Sequence, residues 1–315
     1  MKIIDNIFKQ KEKFIFLRDK ILKIFYKSRY IIFFRLVPKK IFLSYGYKKI
    51  FGKKLNLKNP TTLMEKIQWK KLYDHQDIYT TCTDKFLVRD FIRKKIGEKY
   101  LIPLLYHTDK IDKLDLHKFK TPFIIKTNHG SGQNIIIKNK EDIDKKEITE
   151  KFKTWLNTNY YYFSKEWQYK NIKPQVLIEK LLLNEKGQIP EDYKFHCFHG
   201  KVEFIQVITD RFGDKKMGFF NTNWKLLPFI LSPRENNLPI DKINKNIKKP
   251  KNLKEMIKIS ETLSKEFDYV RVDLYSLKNR IYFGELTFSH GAGFASFFPS
   301  KYDRIFGDKL KIKTT

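Results

Sequence analysis

Only two cysteines occur in 315 residues, Cys82 and Cys197, far apart and in no metal-ligand spacing. That excludes a disulfide framework and a zinc ribbon, and it fits a reducing, cytoplasmic compartment. Long apolar runs are missing too: the best candidates, such as "YIIFF" before Arg35, are far too short to span a bilayer. The opening "MKIIDNIFKQKEKFIFLRDK" carries charge throughout, where a secretory leader needs an apolar stretch. Acid is scarce against base: 35 Asp+Glu face 65 Lys+Arg, for a net charge of +30. That balance invites a nucleic-acid reading, yet no zinc-finger spacing, aromatic ribonucleoprotein motif or helix-turn-helix signature accompanies it, so no specific nucleic-acid partner is expected. Heavy use of Lys, Ile, Asn and Phe is also the bias that an AT-rich genome imposes.

What is present is an ordered, globular composition, 41% hydrophobic and 16% aromatic. The length suits one large domain with subdomains, or two domains. The charge is uneven: residues 1–58 hold 17 Lys+Arg and 3 Asp+Glu, so +14 of the total sits in less than a fifth of the chain. Within 1–45, Phe14, Phe16, Leu17, Ile21, Ile24 and Phe25 recur near helical spacing between basic residues. This predicts a basic amphipathic arm (residues 1–55) that either lies on an anionic membrane surface or packs on its own domain.

"PTTLMEKIQWKKLY" holds a capping box, Thr62 with Glu65, and opens a helix. "TDKFLVRDFIRKKIG" reads as a second helix, with Thr83 as N-cap and Gly97 as its stop. From about residue 120 β-rich runs dominate, with turns at His199-Gly200 and Lys278-Asn279 and helices near 142–158 and 252–267. Residues 231–251 read as a long polar connection. The fold class is α+β with mainly antiparallel sheets.

In "FIIKTNHGSGQNIII", Lys126 precedes a loop with Gly130, Ser131 and Gly132. Backbone N–H groups there can approach a phosphate closely, and Lys126 would add charge; a plain hairpin turn is the other reading. It is no Walker P-loop, since G-x-x-x-x-G-K-[ST] is absent. In "YVRVDLYSLKNRIYFGELTF", Asp273 and Glu285 fall on adjacent strands joined by a turn, Asp273 between Val272 and Leu274. Two carboxylates inside a sheet need a cation, and hard oxygen ligands a strand apart suit Mg²⁺. Glu179 with Lys180, Asp192 with Lys194, and Asp210 with Arg211 add further strand-borne charges.

These ordered blocks, with "PTTLMEKIQWKKLYD", "EWQYKNIKP", "DYKFHCFHGKVEFIQV" and "ELTFSHGAGF", resemble the TupA-like ATP-grasp family over about residues 55–300. The resemblance implies an ATP-grasp domain at 56–300, two α+β subdomains clasping ATP, followed by a basic tail at 301–315. It implies that Lys85 and Lys126 touch phosphates and that the 128–134 loop closes over them. Glu179, Lys180 and Leu182 would read adenine, and Asp192 and Lys194 would contact ribose or triphosphate. Asp273 and Glu285 look like the Mg²⁺ acids, with Thr287 where many relatives have Asn. Arg271 resembles the arginine that steadies the transferred phosphate, and Arg211 joins Arg271 and Lys126 as a catalytic candidate. The implied reaction is ATP-dependent joining of a carboxylate, small-molecule or glycan, to an amine through an acylphosphate, amidating a uronic-acid or amino-acid component in cell-envelope or capsular polysaccharide biosynthesis. A glycosyltransferase is the alternative, and it would use Asp142-Ile143-Asp144 as a D-x-D metal motif.

Overall fold

The computed structural model describes residues 35–210, 214–232 and 243–313. Most of the basic arm, and Arg211, lie outside the described residues. Helix α1 (Lys39–Phe51) belongs to the expected arm, and it buries Phe42, Leu43 and Tyr47 on the protein's own core. It stops at Gly52, whose φ of 67° is a left-handed value that glycine adopts without strain.

The capping box of α2 (Leu63–Tyr73) forms as its spacing predicts. Thr62 Oγ1 accepts from the Glu65 N–H at 3.3 Å, and Glu65 Oε2 accepts from the Thr62 N–H at 3.1 Å. Thr83 is not a cap; it ends the short helix α3 (Asp77–Thr83). Asp84 leads into α4 (Val88–Lys95) instead, its Oδ1 accepting from the N–H groups of Phe86 at 2.8 Å and Leu87 at 3.3 Å. A carboxylate both accepts those donors and supplies the negative charge a helix start favours.

Two antiparallel sheets follow. The first, ordered β1-β4-β2-β3, is built from β1 (Leu104–Thr108), β2 (Phe123–Thr127), β3 (Asn134–Ile137) and β4 (Val176–Lys180). Its Phe123, Ile125, Val176 and Ile178 pack on Phe152 and Trp155 of α5 (Lys145–Leu156). The opposite face therefore carries Lys126, Leu177 and Glu179.

The second sheet, ordered β10-β9-β5-β6-β7, contains β5 (Asp192–Phe198), β6 (Lys201–Thr209), β7 (Lys216–Phe220), β9 (Tyr269–Leu277) and β10 (Arg280–Thr287). The two turns read from sequence join β5 to β6 and β9 to β10, with positive φ at His199, Gly200, Lys278 and Asn279. One face packs Phe195, Val270, Val272 and Leu286 against Met256, Ile259 and Leu263 of α6 (Leu253–Ser264). The other face changes character along its length. Asp192, Lys194, Arg271 and Asp273 occupy one half; Phe204, Phe219 and Tyr269 enter an aromatic cluster at the other, with Phe229, Phe297 and Phe306.

The small pair β8 (Ile230–Ser232) and β11 (Ser296–Phe298) borders that cluster. Residues 301–309, expected within a basic tail, form helix α7 (Lys301–Lys309), and its Phe306 is buried in the cluster. Asp303 Oδ1 accepts from the Met64 N–H at 3.0 Å, capping α2 from the far end of the chain. Among the described residues no helix is long and apolar enough to cross a membrane.

Candidate active site

The glycine loop stands on a rigid base. Asn128 Nδ2 donates to Asp84 Oδ2 at 3.0 Å and to the Lys173 carbonyl at 2.9 Å, while its Oδ1 accepts from the Gln175 N–H at 2.7 Å. His129 Nε2 donates to the carbonyls of Trp155 at 3.0 Å and Thr158 at 3.1 Å, and burial keeps this imidazole below its ordinary pKa. Above this base Ser131 and Gly132 are exposed. A Cβ at Gly130 would lie 2.1 Å from Gln133 Oε1, so a side chain there would displace the Gln133 amide from Thr127. The loop is thus fixed at its foot and open at its tip.

Lys85, just before α4, reaches under the loop and donates from Nζ to the Gly130 carbonyl at 2.6 Å. Burial lowers its pKa to about 8; Glu285 opposes this and Lys126 adds to it, so Lys85 lies within electrostatic reach of both sheets. Lys126 pairs with Glu179 Oε2 at 2.6 Å, and Arg89 approaches Glu179 Oε1 at 3.4 Å. Lys180 is exposed and points away from Glu179 by strand alternation, whereas Leu182 is buried.

On the second sheet, strand register places Lys194 beside Asp273, and Asp273 beside Glu285. A bulge between Phe283 and Glu285 is what allows this. Ile281 and Phe283 face the α6 core; without the slip Glu285 would follow them into it. With it, Leu286 goes to the core and Glu285 and Thr287 turn to the charged face. Arg271 gathers them: Nε donates to Asp273 Oδ1 at 2.6 Å, and Nη2 to Asp273 Oδ2 at 2.7 Å, Glu285 Oε1 at 2.9 Å and Thr287 Oγ1 at 3.0 Å. Lys194 bridges Asp192 Oδ2 at 2.7 Å and Asp273 Oδ2. Burial works against the Arg271 charge, but Asp273 and Glu285 more than offset it and raise its pKa. Burial raises the Asp273 carboxyl, and Arg271 and Lys194 oppose that rise.

Of the sequence candidates, Lys85, Lys126, Glu179, Asp192, Lys194, Arg271, Asp273, Glu285 and Thr287 therefore belong to one charged zone between the sheets. Sequence reasoning missed Arg89, Asn128 and the buried Glu166, whose carboxyl feels the charges of Lys71, Glu285 and Arg271; for Glu166 the available signal was its place in "EWQYKNIKP". It also missed a buried chain in which the Tyr269 hydroxyl lies 2.9 Å from His196 Nδ1 and 2.6 Å from His290 Nδ1. One hydroxyl proton serves only one of these contacts, so the two rings hold opposite tautomers. A surface groove of about 550 Å³, lined by Phe86, Arg93, Lys99, Leu104 and Arg280, shares only Arg89 with the charged zone.

As a donor set, the opposed Asp273 and Glu285 offer hard carboxylate oxygens, and Glu285 is open to solvent, its side chain 44% exposed. That chemistry fits Mg²⁺ carried in with phosphate oxygens. Among the described residues no group of three or more His, Cys, Asp or Glu forms a cation cage.

An α+β fold thus holds Lys85 beneath a glycine loop beside one sheet, within electrostatic reach of Glu285, which Arg271 binds on the other. The chain belongs to the TupA-like ATP-grasp family, whose model matches residues 65–311. Its solved likenesses are distant. The D-alanine–D-alanine ligase of Bacillus anthracis is 22% identical over 66% of this chain, with a TM-score of 0.38. The L-amino acid ligase of Bacillus licheniformis is 11% identical over 88%, with a TM-score of 0.43. The N5-carboxyaminoimidazole synthetase of Staphylococcus aureus, solved with ADP, is 14% identical over 70%, with a TM-score of 0.37. The chain spans 57%, 63% and 50% of those three proteins respectively. No curated protein matches it.

Proposed function

We propose that this protein is an ADP-forming ligase that joins a carboxylate to an amine through an acylphosphate. The observation that carries the reading is Lys85 beneath the 128–134 loop, within electrostatic reach of Lys126 and Glu179 on one sheet and of Glu285 on the other, in a member of the TupA-like ATP-grasp family. Lys85 and Lys126 would neutralise the terminal phosphates of ATP, and the exposed tip of the loop would close over them. Glu179 and Leu182 would hold the adenine, and Asp192 with Lys194 the ribose or triphosphate. Arg271 would steady the transferred phosphoryl group as the substrate carboxylate attacks the γ-phosphorus in line. An amine then attacks the acyl carbon, and phosphate leaves. Positioning and fixed charge carry such a reaction, so no protein nucleophile is needed. Asp273 and Glu285 would hold Mg²⁺, which lends charge to the departing ADP; Thr287 is engaged with Arg271 and is the weaker candidate ligand.

The acid substrate we infer is a uronic-acid or amino-acid component of an envelope or capsular polysaccharide. The high positive charge of residues 1–58 would draw the enzyme to an anionic cytoplasmic membrane face. The glycosyltransferase alternative is weakened by its own motif. Asp142 Oδ2 accepts from the N–H groups of Lys138 and Asn139, both at 2.9 Å, and Asp144 Oδ1 caps α5 through the Glu147 N–H at 2.9 Å. Both carboxylates serve local turns.

The test is ADP release from purified protein over panels of carboxylates and amines. ADP release that requires both substrates supports the reading. Turnover without ATP, or undiminished turnover in the Asp273→Asn, Glu285→Gln double variant, overturns it.

A further inference from the structure

The two acids offered to a metal are gripped by the protein's own cations. Arg271 sets a fork on Asp273, with Nε donating to Oδ1 at 2.6 Å and Nη2 to Oδ2 at 2.7 Å. Lys194 closes on Oδ2 from the neighbouring strand. A guanidinium placed this way covers the carboxylate edge that a divalent cation would use. The same Nη2 donates to Glu285 Oε1 at 2.9 Å and to Thr287 Oγ1 at 3.0 Å. The Thr287 hydroxyl in turn donates to Glu285 Oε1 at 3.0 Å.

Access to the two acids differs. The Glu285 side chain is 44% exposed and meets Arg271 at one oxygen. Asp273 is 3% exposed and receives three contacts from cationic donors. A cation arriving from solvent therefore reaches Glu285 first. Among the described residues no third His, Cys, Asp or Glu completes a cage around the pair. To reach Asp273 the cation must displace a guanidinium, and the two positive charges repel at that depth. A polyphosphate alters the balance, because its oxygens fit the arginine fork as well as a carboxylate does.

Resting on the ligase reading, in which Asp273 and Glu285 hold Mg²⁺, we propose that Arg271 is a latch on those acids. Its guanidinium keeps their oxygens until the phosphates of a nucleotide draw it off, so the metal site forms only with nucleotide bound. No covalent bond changes in this exchange. The guanidinium passes from carboxylate to phosphate oxygens, and Asp273 passes from one cation to another. The buried carboxylate is thus never left uncompensated, which would be costly. The coupling is reciprocal: metal must favour nucleotide by the factor by which nucleotide favours metal.

The experiment counts bound Mn²⁺, a paramagnetic substitute for Mg²⁺, on the full chain without nucleotide. Arg271→Ala should bind Mn²⁺ about tenfold tighter than the wild type. Mn²⁺ should also raise the unfolding temperature of that variant and not of the wild type. Adding Glu285→Gln to Arg271→Ala should abolish both gains. Should Arg271→Ala not fold, Arg271→Lys, whose single ammonium cannot span both acids, is read by the same ratio. In nitrogen-labelled arginine spectra, the Nε–H signal that Arg271→Lys removes should move when metal-free AMP-PNP is added. Equal Mn²⁺ affinity in wild type and variant, or a gain that survives Glu285→Gln, overturns the latch. So does an arginine signal that stays in place while AMP-PNP raises the unfolding temperature. None of these readouts needs turnover, so the latch can fall while ADP release stands. Absence of ADP release overturns the ligase reading instead.

Discussion

Asp273 and Glu285 stand directly opposite each other on β9 and β10 because the ladder slips by one residue at Gly284. A Cβ at Gly284 would lie 3.0 Å from the Asp273 carbonyl oxygen, so the bulge is tight as well as shifted. Arg271 then binds both acids, and the three residues act as one unit.

Removing Arg271 leaves the buried Asp273 with Lys194 alone. Arg271→Ala should lower stability by about 3–5 kcal/mol, the usual cost of breaking a buried charged pair. Arg271→Lys should recover part of that stability, yet it cannot reproduce a fork that reaches three side chains, so ADP release should stay depressed. Urea unfolding and the ADP assay, run side by side, separate the two effects. Equal activity in Arg271→Lys and wild type would count against a phosphoryl role.

Lys85 predicts a pH signature of nucleotide binding. Its pKa is lowered to about 8, from an ordinary value near 10.5, by burial. Between those values the folded protein holds fewer protons than the unfolded chain, so this residue favours folding more as pH rises from 8 towards 10.5. Phosphate favours the charged form. ATP binding should therefore take up a proton near pH 8–9 and weaken above it, by at most about tenfold per pH unit. Calorimetry in two buffers of different ionisation enthalpy measures the uptake. In Lys85→Met it should disappear, along with much of the thermal stabilisation, about 2.7 kcal/mol in the wild type at 100 times the Kd.

Asn128 ties the foot of the glycine loop to three neighbours. Asn128→Ala strips partners from Asp84, the Lys173 carbonyl and the Gln175 N–H. A loss of about 2–3 kcal/mol is expected from buried groups left unpaired. Hydrogen exchange should rise first at residues 127–133 and 173–176. Exchange unchanged there would mean that the loop does not depend on Asn128.

Asp303 sets an acid-side trend. Burial raises its carboxyl to about 6, against an unfolded value of 3.8, so between these values the native state binds more protons. Its contribution to stability is therefore fully present below about pH 4 and is lost as pH rises through 6. His290 works the other way: burial holds it near 3, so it costs stability as pH falls below 6.5. Asp303→Asn keeps the oxygen that caps Met64 while removing the titration. Wild-type minus variant stability should fall from pH 4 to pH 6 by no more than about 1.4 kcal/mol per unit, and a flat difference would refute the assignment.

Much of this was legible in the sequence because it was local. The Thr62/Glu65 capping box, the two hairpin turns and Asp273 between Val272 and Leu274 each announce themselves within a few residues. What stayed hidden depends on residues far apart. Nothing around Gly284 says that the ladder slips there, and strict alternation would send Glu285 to the core. Thr83 ends the preceding helix, and Asp84 accepts from the turn at Phe86 and Leu87 that leads into α4. Glu166 lies in an irregular segment with no periodicity to mark a buried position. Helix α7 looked like a tail because its one deeply buried aromatic, Phe306, finds partners from other strands.

That last helix has a consequence for how the protein is made. Gly307 sits so close to the start of α2 that a Cβ would fall 2.2 Å from the Thr61 carbonyl oxygen, and Asp303 adds an acceptor for the Met64 N–H beside the capping box. During synthesis, the start of α2 and the aromatic cluster stay incomplete until residues 301–309 have left the ribosome. Until Phe306 emerges, the nascent polypeptide exposes unfinished aromatic surface that a chaperone would have to cover.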